Sequence, residues 1–245
     1  MGVLCTMLEH DHDRRSVRGR LMAERRPSYI RDWVYGGIDG AITTFAIVAG
    51  VVGASLSARI ILILGLANLI ADGLSMAASN YSGTKTEVDE LARHRAIEKR
   101  HIREMPEGER EEVRQIMAMK GLEGDALDAA VEAITSNEET WVRTMIADEY
   151  GLTENLRDPL KSGLSTFAAF VLCGAVPLAP FLFLPPDSAF TISLAMTLVV
   201  FFAIGSLKSR WALTRWWASG LETLAIGSVA ALAAFAIGYA LRGYG

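Results

Sequence analysis

Cysteine is nearly absent from this chain: Cys5 and Cys173 are the two in 245 residues. One lies in a polar segment and the other in an apolar run, so neither a disulfide framework nor a cysteine metal motif is expected. The chain has no glycine-rich phosphate loop, no Ser-His-Asp constellation and no alternating pattern that would announce strands. A formal net charge of −4 leaves no basic footprint for nucleic acid. The basic N-terminus is not read as a signal peptide, because no apolar core follows its arginines before Trp33.

What the chain does have is apolar length. Apolar residues make up 51% of it and charged residues 21%. The charges keep largely to residues 1–32 and 84–161. Most of the remainder is a series of apolar runs of about 20 residues, the length that crosses a bilayer. The expected fold class is all-α, a polytopic membrane protein with five transmembrane helices and a cytoplasmic helical insert between helices 2 and 3. The spans are placed at 33–56, 60–81, 162–184, 190–207 and 220–241. The chain then divides into a basic N-terminal segment (1–32), helices 1–2 (33–83), the insert (84–160) and helices 3–5 (161–245).

Lysine and arginine set the orientation. They gather in 1–32, in the insert, and at Lys208, Arg210 and Arg215, beside Trp211, Trp216 and Trp217. The loops at the other end carry only Arg59. That bias puts the N-terminus, the insert and 208–217 in the cytoplasm. The EHDHD run at 9–13 has metal-binding residue types without fixed geometry, and is read as a solvated, partly helical tail. The insert is expected as three helices. The first runs straight out of the second span and breaks at Met105-Pro106. The second covers 109–120 and stops at Gly121. The third covers 125–150, with a kink around Ser136-Asn137.

Two constellations carry chemistry. The first lies at lipid depth. Asp39 sits among Gly36, Gly37 and Gly40 on the first span, where a carboxylate costs several kcal/mol unless it meets protein, water or an ion. The glycines let a neighbouring helix come close. Thr43 follows one turn later. Asn68, Asp72 and Met76 recur at i, i+4 and i+8 on one face of the second span. Carboxylate, amide and thioether form a mixed hard and soft set that suits Fe2+ better than Mg2+ or Ca2+. A hydrogen-bonded helix interface with a packing methionine is the plainer alternative. The second constellation lies in the insert. Glu98 and His101 pair at i, i+3, Glu109 and Glu112 repeat that spacing, and Met145 and Glu149 stand at i, i+4. By spacing alone Glu104, Glu107, Glu111 and Glu138 qualify as well, and a charged connector with solvated faces accounts for all of them. Glu222, near the start of the fifth span, is read as a helix N-terminal charge held by the dipole.

Three segments carry a family resemblance. YGGIDGAITTFAIVAG on the first span, ADGLSMAASNYSGTKTE at the end of the second and WVRTMIADEYGL in the insert occur in that order. They resemble the signatures of the vacuolar iron transporter family, and the resemblance covers about 30–244. It implies five spans, a cytoplasmic three-helix metal-binding domain, and a homodimer with the ion path at the subunit interface. It implies transport of Fe2+, and often Mn2+, out of the cytosol. The family's first-helix carboxylate falls on Asp39 and its second-helix methionine on Met76. Its insert ligands fall on Glu98, His101, Glu109, Glu112, Met145 and Glu149. The sequence departs from the family at three places. Asn68 replaces a carboxylate, with Asp72 one turn later. His101 stands where Glu is usual, and Ile146 where a second Met is usual.

The expected function is therefore an exporter of Fe2+, with Mn2+ as a further substrate, working by proton antiport. It has no catalytic residues and no permanent cofactor, and its partners are a divalent metal ion, membrane lipid and a second copy of itself. A bacterial inner membrane is the expected setting. The rival is a membrane-anchored metal sensor or storage adaptor, which binds metal at the insert without conducting it.

Overall fold

A computed structural model describes residues 11–23 and 27–244. Its described residues form ten α-helices and two short 3-10 turns, with no strand. The first helix, α1 (Arg14–Met22), is capped by Asp13, whose carboxylate accepts the Arg15 and Ser16 N–H groups at 2.8 and 3.1 Å. That cap gives one member of the EHDHD run a structural task. Glu9 and His10 of the same run, like Cys5, Arg25 and Arg26, lie outside the described residues.

Among the described residues four helices are long and apolar enough to cross a membrane: α2 (Ile30–Gly53), the first part of α3 (Ala58–Glu104), α9 (Pro186–Lys208) and α10 (Trp216–Ala240). At 1.5 Å per residue, 24 residues reach about 36 Å. Between α2 and α3 the chain turns within four residues. Leu56 N–H returns to the Val51 carbonyl at 3.0 Å and Ser55 N–H to Val52 at 2.9 Å, with Ser55 at φ 59°. This is the Schellman closure, with serine in the left-handed position where glycine is commoner. It makes the tight antiparallel hairpin expected from the short polar loop.

The expected third span, 162–184, is not one helix. α7 (Pro159–Ala175) has 17 residues, and after a turn at 176–178 a five-residue helix, α8 (Ala179–Phe183), follows. Pro177 supplies the reason. It has no N–H for the helical ladder, and its ring crowds the preceding turn. Its carbonyl is taken instead by Ser193 Oγ at 2.7 Å, which ties the break to α9.

The hub of the bundle is α2, which packs against α3, α7, α9 and α10. Phe45 and Val48 of α2 share a core with Ile61, Leu69 and Phe170 of its neighbours, all nearly or fully buried. Glycine makes the closest approach: a Cβ at Gly40 would lie 2.8 Å from the Phe170 Cα and closer still to its carbonyl oxygen.

The insert grows out of the membrane part without a joint, since α3 runs for 47 residues through both. Its fold is completed by α4 (Pro106–Met119), α5 (Gly124–Thr135) and α6 (Glu138–Asp148). Pro106 starts α4 where a missing N–H costs nothing. Gly121 and Gly124 take the positive φ values, 91° and 54°, that the α4–α5 turn requires. The single third helix expected over 125–150 is two helices. Asn137 separates them by accepting the Thr140 N–H at 2.9 Å as the cap of α6. Val113, Ile116, Met117, Val131, Trp141 and Met145 form the insert's apolar core.

Candidate metal path and insert site

The facing sides of α2 and α3 carry a ladder of polar groups. Asn68 Nδ2 donates to Thr43 Oγ1 at 3.2 Å, and that hydroxyl donates to the Asp39 carbonyl of its own helix at 2.9 Å. One turn towards the insert, Asp39 and Asp72 stand close enough that the charge of one bears on the other. Met76, a turn further on, packs at the edge of the apolar core. The helices are antiparallel, so moving back along α2 matches moving forward along α3. Asp39 and Asp72 are both half-buried, and among the described residues neither has an ion-pair partner. The α3 side of the ladder is not closed off. Asn68, Asp72 and Ser75 line an open groove together with Ile47, Leu64 and Ala71.

In the insert, burial sorts the glutamates that spacing could not. Glu98 is 1% exposed and Glu109 5%. Glu104, Glu107, Glu111 and Glu138 are exposed, and Glu111 is engaged by Arg114 at 3.8 Å. Glu98 Oε1 accepts the Tyr150 hydroxyl at 2.9 Å, and His101 Nδ1 stands 3.3 Å from Glu109 Oε1. The Oε2 atoms of Glu98 and Glu109 are buried with no donor. The two carboxyls approach one another closely enough to share a proton. Burial, then the charge of Glu98, then those of Glu112 and Glu149, push Glu109 up to about 7. Glu149 is pushed up by burial first, then by Glu98 and Glu112. Burial and the bond to Glu98 also raise Tyr150. Glu112 and Glu149 are themselves exposed, and Met145 is fully buried in the insert core beside Trp141. Among the described residues no three His, Cys, Asp or Glu side chains converge as a ready-made cage. What is built is a buried acid pair with two acidic neighbours, an arrangement that takes up either a proton or a cation.

A profile of the VIT family matches residues 30–239. The chain belongs to the VIT family, that of the vacuolar iron transporters. Vacuolar iron transporter 1 of Arabidopsis thaliana is 32% identical over 234 residues, which span 95% of this chain and 90% of that one. Its namesake in Eucalyptus grandis is 33% identical over 215 residues, 87% and 86% of the two chains. The vacuolar iron transporter of Toxoplasma gondii is 33% identical over 193 residues, 74% and 64%. All three are eukaryotic proteins named for the vacuole, whereas the sequence reading expected a bacterial inner membrane.

The structure of this VIT-family chain also brings in residues that the sequence reading passed over. Tyr150 holds Glu98, and the His94 ring packs against Tyr150 at a tilt of 47°, with centroids 4.2 Å apart. His94 is one turn before Glu98, so the spacing that paired Glu98 with His101 extends backwards to it. Asn80 and Thr84 continue the four-residue stripe of Asn68, Asp72 and Met76. Asp32, two turns before Asp39 on α2, is fully buried and paired with Arg157 and Asn80. Glu222, expected as a helix N-terminal charge, lies beyond the first turn of α10, which begins at Trp216, so the dipole does not hold it; it is instead an exposed partner of Lys208 at 3.3 Å.

Proposed function

We infer that the protein moves Fe2+ across a membrane, with Mn2+ as a second substrate. The observation that carries this is the Asp39–Asp72 pair. Two carboxylates stand near one another on adjoining helices long and apolar enough to cross lipid, and among the described residues no lysine or arginine pairs with either of them. Such a pair is costly unless a cation or protons accompany it. Met76 on the same stripe adds a soft donor, which favours Fe2+ or Mn2+ over Mg2+ and Ca2+.

The insert acts as the collector. Glu98 and Glu109 bind the ion, and Glu112, Glu149 and His101 draw in from the surface to complete its coordination, while Met145 lines the site from the core. The ion then passes along the ladder to Asp39. Protons move the other way, because two facing carboxylates release protons to an arriving ion and recover them when it leaves. The insert and the N-terminus lie in the cytosol, as the lysine and arginine bias indicates, so transport is export. The open groove beside Asn68, Asp72 and Ser75 is covered by a second copy, which makes the path an interface between two subunits.

Proteoliposomes test this. Fe2+ uptake recorded with a luminal pH dye should show metal moving one way and protons the other. Asp39→Ala should abolish both fluxes while metal binding at the insert persists. Full flux in Asp39→Ala excludes the assigned path, and metal binding without flux in the native protein favours a sensor or storage adaptor.

A further inference from the structure

The ladder between α2 and α3 does not end at Met76. Asp32 stands seven residues before Asp39 and Asn80 eight after Asp72, so the antiparallel helices bring them to one further level, about 10 Å nearer the insert. Asn80 Nδ2 does meet Asp32 Oδ1, at 2.9 Å, and also reaches Thr166 Oγ1 at 2.7 Å and the Ser162 carbonyl at 3.2 Å on α7. Three buried oxygens on the residues that meet or follow this amide have no hydrogen-bond partner: the second carboxylate oxygen of Asp32, Oδ2, Thr84 Oγ1 one turn along α3 from Asn80, and the hydroxyl of Ser162. Their residues are 0%, 1% and 0% exposed. Buried polar atoms are rarely left unpaired, and three at the junction of three helices require an account.

Among the described residues one cationic side chain already occupies this level. The Arg157 guanidinium pairs with Asp32 Oδ1, and its other arm lies 3.9 Å from Glu87. Arg157 belongs to neither span. It sits on the segment that leaves the insert, seven residues after Tyr150, which holds Glu98. The next residue is also fastened beside α2, through the Asp158 N–H to the hydroxyl of Tyr29, the residue just before that helix, at 3.1 Å. The insert thus has two tethers to the membrane part. One is the continuous α3, and the other ends in a charged side chain placed on a buried carboxylate.

We propose that Asp32, with Thr84 and Ser162, is a divalent-cation station at the insert-side mouth of the path, and that Arg157 is the gate that occupies it when no ion is there. An all-oxygen set with one carboxylate binds a divalent ion weakly enough to pass it on to Asp39, two turns further in. The guanidinium and the ion compete for the same carboxylate, so the mouth is closed to cations until Arg157 withdraws. Rearrangement of Glu149 and Tyr150 on metal loading in the insert reaches Arg157 through a few residues of chain. This rests on the transport reading for its purpose, but not for its test.

The test counts ions first. Mn2+ bound to the full-length protein in detergent, measured by electron paramagnetic resonance, should rise by one per chain in Arg157→Gln. It should fall back in the double variant Arg157→Gln, Asp32→Asn, and stay at the native value in Arg157→Lys. In proteoliposomes Arg157→Gln should lower the apparent KM for Mn2+ by at least about threefold, and Asp32→Asn should cut flux by about tenfold. A merely structural ion pair lowers the yield of folded protein without adding a metal equivalent. Unchanged stoichiometry in Arg157→Gln overturns the station, whether or not Asp32→Asn folds. Native flux in Asp32→Asn overturns it as well. An absence of flux in native protein counts against transport itself, and the ion count still decides the station.

Discussion

At the scale of single residues the insert is governed by Glu109. Burial and three acidic neighbours raise it from the ordinary 4.5 to about 7. Below pH 4.5 the carboxyl is protonated in folded and unfolded chains alike and costs nothing. Between 4.5 and 7 the unfolded chain ionises first, so the metal-free insert loses stability as pH rises, and the loss is complete above about 7. A divalent ion removes the penalty by replacing the proton. Mn2+ affinity at the insert should therefore climb between pH 6 and 8, with proton release visible in calorimetry in two buffers. Glu109→Gln should weaken binding by about tenfold or more and flatten that climb; a climb of native steepness would show that another group takes the proton. Tyr150→Phe removes the hydroxyl that holds Glu98, and should weaken Mn2+ binding without altering the pH midpoint greatly. Spacing in the sequence put Glu98 with His101 and Glu109 with Glu112 on shared helix faces, because helical periodicity is a local property, whereas the contact His101 makes is with Glu109 across two helices. Spacing could not show that Glu98 and Glu109 are inside while Glu107 and Glu138 are outside, since that depends on where α3, α4 and α6 meet. Tyr150 escaped for the same reason: next to Gly151 it reads as the end of a helix.

Among the elements, α2 is the one whose sequence is least free. Its glycines are spacers against α7 and α10 as much as they are neighbours of Asp39. At Gly238 a Cβ would lie 2.8 Å from the Gly50 carbonyl carbon, so both faces of α2 are packed backbone to backbone. Gly40→Ala should destabilise the protein by about 1–3 kcal/mol, as overpacking at a site that cannot yield does. Gly83 on α3 has open space around its Cβ position. Gly83→Ala should leave stability unchanged or raise it by about 0.4–1 kcal/mol, since alanine narrows the unfolded ensemble. Thermal unfolding in detergent compares the two, and equal effects would contradict the packing described for α2. The apolar runs made α2, α3, α9 and α10 readable to within a few residues, because a span must be long, apolar and helical. The break between α7 and α8 was harder to read. Pro177 and Pro180 are plain in the sequence, yet they sit in a run whose hydropathy does not falter, and proline is tolerated in spans where neighbours satisfy the freed groups. Here the neighbour is Ser193, which only the packing of α9 brings near.

For the whole molecule the informative surface is the α3 face that carries Asn68, Asp72 and Ser75. It lies on the apolar, span-length part of α3, it carries three polar side chains among apolar ones, and none of the described residues covers it. Hydrocarbon offers no hydrogen bonds, so the arrangement is costly for an isolated subunit. A two-fold pairing through this face removes the exposure and doubles the ligand set, since the same stripe returns from the partner. In an isologous contact a residue near the axis meets its own copy. Ala71 lines the groove next to Asp72 in sequence and is exposed. In a background with Cys5 and Cys173 replaced by serine, Ala71→Cys should form a covalent dimer on mild oxidation in native membranes, because disulfides require Cα atoms within about 7 Å. Val199, 67% exposed on α9 and not among the residues that line the groove, serves as the control, and Val199→Cys should stay monomeric under the same treatment. The reverse result would move the subunit contact to α9 and leave the Asp72 face to lipid. Asp39 would then have no second carboxylate stripe opposite it, and an ion path between subunits would be excluded.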